Sequence, residues 1–138
     1  EDVIGRRVGT VAWTVYAAER FADGPLPWVR YALDLTRLPA FRWQEQHEDG
    51  SFGMAVNSVP AMHRIIACSA CRGMLPCFVG DPDPELVRLR EPIAEAESQL
   101  WLLAHPDLRR TTRVRVLLDA LWEALVAHRP LIEGQNPR

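Results

Sequence analysis

The chain has 138 residues, of which 48% are hydrophobic and 25% are charged, and its formal net charge is −2. These values predict one soluble globular domain with its own core, and no apolar run reaches the roughly 18 residues of a membrane-spanning helix. All 16 basic residues are arginine, which excludes chemistry that needs a lysine, such as Schiff-base formation. The densest basic group, Arg109, Arg110, Arg113 and Arg115, has acidic neighbours and predicts an exposed helix face rather than a phosphate-binding stripe.

The number of cysteines and the first residues of the chain indicate the cellular compartment in which the protein is expected. Cys68, Cys71 and Cys77 make an odd number, and no signal-like segment opens the chain, which favours reduced thiols in the cytoplasm. Because the first residue is Glu1 rather than Met, we expect a chain that is processed or cut from a longer one.

In the first half of the chain, apolar strands alternate with amphipathic helices. Strands are expected at residues 10–17, 28–33 and 52–56, which are rich in β-branched and aromatic residues. Thr36 is positioned to cap a helix that ends near Gln46 or His47, and Ser58 to cap a second helix that ends near Arg72 or Gly73.

The second half continues the alternation. Strands are expected at residues 74–79 and 99–104, with a turn at 81–84, a short segment at 86–89 and a polar loop at 90–98 between them. Thr111 or Thr112 is positioned to cap a final helix. Its apolar face consists of Val114, Leu117, Leu118, Leu121, Leu125 and Val126. This order predicts an α/β fold with a largely parallel sheet flanked by helices.

Four segments carry a resemblance to one protein family. They are LPCFVGDPDPELVRL at 75–89, LWLLAHPDLRRTTRVRVLLDALWEAL at 100–125, the opening GRRVGTVAWTVYAAERFA, and the helix-containing NSVPAMHRIIACSACRG between them. In this order they resemble the effector-binding domain of LysR-type bacterial transcriptional regulators. The resemblance covers about residues 5–125.

The resemblance implies a Rossmann-like lobe of a type II periplasmic-binding-protein fold. Residues 1–17 would cross from the first lobe, residues 18–104 would form the second lobe, and residues 105–138 would return to the first lobe with the last helix. It further implies a cytoplasmic regulator that senses a small-molecule effector, is not an enzyme and needs no cofactor. The protein would form homodimers or tetramers, and would contact DNA only through a separate N-terminal domain.

The candidate ligand site follows from the expected fold. In open α/β sheets, ligands bind beyond the carboxyl ends of the strands, where helix N-termini favour anions. The candidate residues are Thr36, Arg37, Leu38, Asn57, Ser58, Leu100 and His105. Since many members of the family bind small carboxylates or aromatic acids, Arg37 is the expected ion-pair partner. The alternative is that Thr36 and Ser58 are only helix caps and that Arg37 is a solvated surface residue, because caps are far commoner than ligand sites.

Two other functions remain open at this point. One is a stand-alone small-molecule binding protein of the periplasmic-binding-protein type. The other is a small thiol oxidoreductase that uses Cys68 and Cys71. A C-x-x-C pair at the end of a helix lacks the dipole that lowers a thiol pKa, and zinc would need a fourth ligand besides the cysteines and His63. We therefore expect no metal, and cysteines that pack as small apolar residues.

The last expectation concerns association. If the chain lacks most of its first lobe, the apolar stripe of residues 114–126 should lack its natural cover and bury against another chain. The second-lobe contribution to a family-type dimer would be roughly residues 52–72.

Overall fold

A computed structural model describes residues 4–32, 35, 37–47 and 52–135. Strands and helices alternate along the chain as β1 (Ile4–Val11), β2 (Trp13–Ala18), β3 (Trp28–Tyr31), α1 (Pro39–His47), β4 (Phe52–Val56), α2 (Val59–Cys68), β5 (Arg72–Pro76), α3 (Cys77–Gly80), β6 (Leu86–Arg88), β7 (Ser98–Ala104), α4 (Thr112–Ala127) and α5 (Arg129–Ile132). Within the described residues, no helix is both long and apolar enough to span a membrane.

Five strands form one sheet in the order β4-β3-β5-β2-β6. β3 is parallel to β4 and β5, whereas β2 is antiparallel to β5 and β6. Four of the five strands therefore point in one direction and β2 is reversed. The prediction of an α/β fold with a largely parallel sheet is confirmed.

The core lies between this sheet and the helices that contact it. Tyr16 from β2, Met74 and Leu75 from β5, and Met62 and Ile66 from α2 are each at most 1% exposed. The Tyr31 hydroxyl donates to the Met74 carbonyl oxygen at 2.8 Å, so this buried phenol has its partner inside the core.

A second, smaller unit consists of the antiparallel pair β1 and β7, which we call the ribbon. The helix α4 contacts β1, and the Arg6 guanidinium lies 5.5 Å from the Trp122 ring centroid. No residue of α4 is buried. Large apolar side chains of the ribbon and of α4 remain exposed, among them Trp101 at 47%, Leu103 at 57% and Leu117 at 58%.

The predicted strand at residues 10–17 is wrong in one respect, because two strands in two different sheets occupy this stretch. Val11 pairs with Ser98 in the ribbon, Trp13 pairs with Pro76 in the five-stranded sheet, and Ala12 separates them. The apolar pattern of TVAWTVYA continues through Ala12, since both segments are extended. A change of partner leaves no mark in such a pattern.

Two boundaries near the middle of the chain also differ from prediction. The helix predicted to end near Arg72 ends at Cys68, and the strand expected at 74–79 spans Arg72–Pro76 instead. After Pro76, Cys77–Gly80 forms a short helix, in which the Asp81 amide donates to the Cys77 carbonyl oxygen at 2.9 Å. Short apolar runs fit a strand or a buried helical turn equally well, and tertiary packing decided between them here.

Candidate functional site

The parallel strands β3 and β4 end side by side. Tyr31 is in register with Val56, and the Ala32 amide donates to the Val56 carbonyl oxygen at 2.7 Å. Each strand leads into a helix, β3 towards α1 and β4 into α2. We call the region formed by residues 37–38 and 57–58 the binding edge, because it lies at the carboxyl ends of adjacent parallel strands, where α/β proteins bind ligands.

Helix N-termini determine the electrostatics of the binding edge. α1 begins at Pro39 and α2 at Val59, and neither carries an acidic residue in its first turn. The two helix dipoles therefore place positive potential at this edge. No carboxylate in the first turn of either helix offsets this potential. Such an arrangement favours a small anion.

The structure brings four predicted site residues to this edge. Ser58 caps α2 as expected: its backbone is extended and its hydroxyl oxygen accepts from the Ala61 amide at 3.2 Å. Asn57 and Arg37 are exposed, and Leu38 is half-buried against the core. Thr36 lies outside the described residues.

The other two predicted residues lie on or beyond the ribbon. Leu100 is half-buried and packs against the core, and it pairs with Gly9. His105 follows Ala104, which pairs with Ile4 at the far end of the ribbon. Ala104 and Ser98 are the two ends of β7, and a strand of this length is about 20 Å long. His105 therefore lies beyond the end of β7 opposite Ser98, and its Nδ1 accepts a hydrogen bond from the Asp107 amide at 3.3 Å.

Three cavities in the described part of the chain lie elsewhere. One of about 360 Å³ separates the ribbon from α4 and includes Arg6, Leu102 and Leu118 in its lining. Another, of about 440 Å³, borders Tyr16, Asp81 and Arg88, and a third, of about 230 Å³, borders α1 at Trp43. None of these three is lined by the predicted site residues.

Sequence reasoning missed a buried polar cluster beside the second cavity. The Tyr16 hydroxyl donates to Asp81 Oδ1 at 2.6 Å, and Arg88 donates to both Asp81 oxygens, at 2.9 and 2.6 Å. Burial, and then the bond to Asp81, raises the pKa of Tyr16 well above its ordinary value of 10.0. The bond to Asp81 likewise raises the pKa of Arg88. Tyr16 and Asp81 are 65 positions apart in the sequence, and Asp81 and Arg88 are 7 positions apart. No local pattern therefore indicates that the three side chains contact one another.

The cysteines show no arrangement suited to redox or metal chemistry. Cys71 and Cys77 are buried, as predicted for packing residues, whereas Cys68 is exposed at the end of α2. Burial raises the pKa of Cys71 and Cys77, which works against a reactive thiolate. His63 pairs with Asp83 at 2.6 Å. Among the described residues, no three His, Cys, Asp or Glu side chains are grouped to hold a metal.

Comparison with known proteins gives a result only at the level of structure. No family model and no curated protein matches the sequence. The CrgA regulatory domain, a LysR-type transcriptional regulator from Neisseria meningitidis, is similar over 89% of this chain and 69% of its own, with a TM-score of 0.69 and 18% identity. The AmpR effector-binding domain from Citrobacter freundii is similar over 91% and 68%, with a TM-score of 0.65 and 15% identity.

A full-length regulator gives the same result. LysG from Corynebacterium glutamicum, with its bound effector Arg, is similar over 91% of this chain, with a TM-score of 0.62 and 20% identity. This chain spans 47% of the LysG chain and 68% of the AmpR effector domain. The chain therefore has the periplasmic-binding-protein-like type II fold of LysR-type effector-binding domains, over about two thirds of such a domain.

Proposed function

We propose that this chain is part of the effector-sensing domain of a cytoplasmic LysR-type transcriptional regulator. Residues 18–104 would form the second lobe, with residues 1–17 and 105–138 crossing to and completing the first. The observation that carries the proposal is the likeness to effector-binding domains over about nine tenths of this chain. DNA would be contacted by a separate domain of the regulator, and the protein would act as a homodimer or tetramer.

Exposed apolar side chains on the ribbon and on α4 support the assignment of two lobes. Val116, Leu117 and Leu121 on α4, together with Trp101 and Leu103 on β7, are each more than 40% exposed. A soluble monomeric protein rarely leaves so many large apolar side chains on one unit in contact with water. This exposure fits surfaces that the remainder of the first lobe, or another chain, would cover.

The binding edge is the proposed effector site, and a small carboxylate is the proposed class of effector. Arg37 can donate two parallel hydrogen bonds to a carboxylate, and the N-termini of α1 and α2 face the same edge. Asn57, Ser58 and Leu38 would complete the contacts at this edge, and Leu100 on the ribbon is a further proposed contact. A cleft with one wall excludes little water, so the affinity of this chain alone should be weak.

Calorimetric titration with benzoate tests the ligand class, with benzamide as the neutral ligand of the same shape. Benzoate should bind more tightly than benzamide. Arg37→Ala should weaken benzoate binding by roughly 10- to 100-fold, the loss typical of hydrogen bonds between charged groups. Arg64→Ala is the matched control, because Arg64 is an exposed arginine in the middle of α2.

Equal binding of the two ligands, or equal loss in both variants, would overturn the carboxylate assignment. The regulatory role has a separate readout. A transcription reporter driven by the intact regulator should lose its response to effector when Arg37 is replaced, while binding of the regulator to promoter DNA persists.

A further inference from the structure

The C-terminal segment, residues 129–134, contacts the free edge of β1. β7 occupies one side of β1, and in an isolated two-stranded ribbon the other side would expose unpaired backbone groups. Here the Arg129 side chain donates to the Val8 carbonyl oxygen at 2.8 Å, and the Thr10 amide donates to Glu133 Oε1 at 3.3 Å. The Ala12 amide donates to the Ile132 carbonyl oxygen at 3.1 Å. These bonds fall on alternate residues, where a third strand would form its ladder.

Ala12, where the ribbon meets the sheet, is held from two directions. Its amide binds the C-terminal segment, and its carbonyl oxygen accepts from the Cys77 amide at 2.8 Å. Ile132 is 6% exposed and belongs to the core cluster. Both the amide and the carbonyl group of Ala12, the residue between β1 and β2, are therefore hydrogen-bonded.

The end of the segment is attached to the sheet through the buried polar cluster. Arg88, which binds Asp81 through two bonds, also donates to the Gly134 carbonyl oxygen at 2.8 Å. Gly134 has a φ of 71°, a conformation that other residues rarely adopt. A Cβ atom there would lie 3.1 Å from both Ala12 Cβ and Cys77 Sγ. Glycine at this position is thus required twice, by its backbone angle and by the close approach to Ala12.

We propose that residues 129–134 fix the angle between the ribbon with α4 and the five-stranded sheet, so that Ala12 is not a free hinge. The segment follows α4 directly, and its contacts reach β1, α3 and, through Arg88, β6. Residues 129–134 therefore connect α4 to the five-stranded sheet through contacts with α3 and Arg88, in addition to the connection that the ribbon provides. α4 and the sheet should move as one body, with or without a ligand at the binding edge.

Spin labels on the full chain test this proposal by distance. One label is placed on Cys68, the native exposed cysteine at the end of α2, and the other on α4 by the substitution Glu123→Cys. The parent chain should give one narrow distance distribution. Gly134→Val should broaden or shift it, because valine is strained at this φ and contacts Ala12. Gly24→Val is the matched control, since a Cβ at Gly24 has no neighbour within 4 Å.

A gentler variant keeps the test informative if Gly134→Val does not fold. Glu133→Ala removes the acceptor of the Thr10 amide without adding bulk. By the usual net value of a hydrogen bond, exchange of the Thr10 amide with solvent should become roughly tenfold faster, while amides of β3 and β5 keep their protection. Unchanged exchange of Thr10 in Glu133→Ala, or a distance distribution for Gly134→Val as narrow as that of the parent, would overturn the proposal.

Discussion

The five-stranded sheet and the ribbon with α4 are both built from strongly apolar segments, yet they differ in burial. In the sheet region Leu75, Met62 and Ile66 are fully buried, with relative exposures of 0%. In the ribbon region Leu117 and Leu103 remain more than half exposed. The sheet region buries most of its large apolar residues, although Met54 and Phe78 remain 52% and 41% exposed. The ribbon and α4 leave several large apolar side chains exposed in the part of the chain that the structure describes.

This difference shows that a periodic apolar pattern predicts which side of an element can be buried. It does not predict whether that side is buried in the folded chain. The face of α4 was predicted from its helical spacing, and α4 is a helix, but none of its residues is buried. An amphipathic stripe specifies which side of a helix needs a partner. The partner itself is specified by the rest of the fold.

The largest expected effect comes from one substitution made in each region. Leu75→Ala should lower the free energy of unfolding by about 2–5 kcal/mol, because it leaves a cavity in a packed core. Leu117→Ala should change it by no more than about 0.5 kcal/mol, since the side chain is 58% exposed. Urea unfolding monitored by tryptophan fluorescence measures both. Similar losses in the two variants would show that α4 is covered in solution.

A pH effect of intermediate size should arise in the sheet region. Burial raises the pKa values of Cys71, Cys77, Tyr16 and Tyr31, whereas an unfolded chain ionises near the ordinary values of 9.0 for a thiol and 10.0 for a phenol. Above those values only the unfolded state loses protons, so stability falls as pH rises. The fall is at most about 1.4 kcal/mol per pH unit for each group.

Melting temperatures measured from pH 7.5 to 10.5 test this dependence. Near pH 7.5 these four groups should contribute no change in melting temperature. Above about pH 9 the melting temperature should decline. A melting temperature that rises across this range would contradict the burial of the four groups.

The smallest effect distinguishes two helix caps, one in each region. The Ser58 hydroxyl caps α2, so Ser58→Ala should cost about 1 kcal/mol. Thr111 precedes α4, but within the described residues its side chain makes no capping hydrogen bond. Thr111→Ala should therefore cost no more than a few tenths of a kcal/mol. Denaturant midpoints of the two variants provide the comparison, and an equal loss would mean that Thr111 caps α4 in solution.

Much of the fold was accessible from local patterns. The end of α1 at His47, the strand at residues 52–56 and the cap at Ser58 were predicted correctly, because capping residues and apolar spacing act within a few positions. The candidate site stays a prediction, although Arg37 and Asn57 follow the ends of β3 and β4, which are parallel neighbours. His105 lies at the far end of the ribbon, and strand order alone did not place it there.

By itself, the sequence determined where apolar and capping residues recur, and hence the class of fold and the positions of most elements. Only the tertiary structure decided that one extended run divides at Ala12 between two sheets. It also decided that the C-terminal segment returns to β1, and that Tyr16, Asp81 and Arg88 form one buried cluster. The physical reason is range: propensities and caps depend on neighbours along the chain. Strand pairing and tertiary hydrogen bonds join residues that are distant in sequence, and Thr10 and Glu133, which share one such bond, are 123 positions apart.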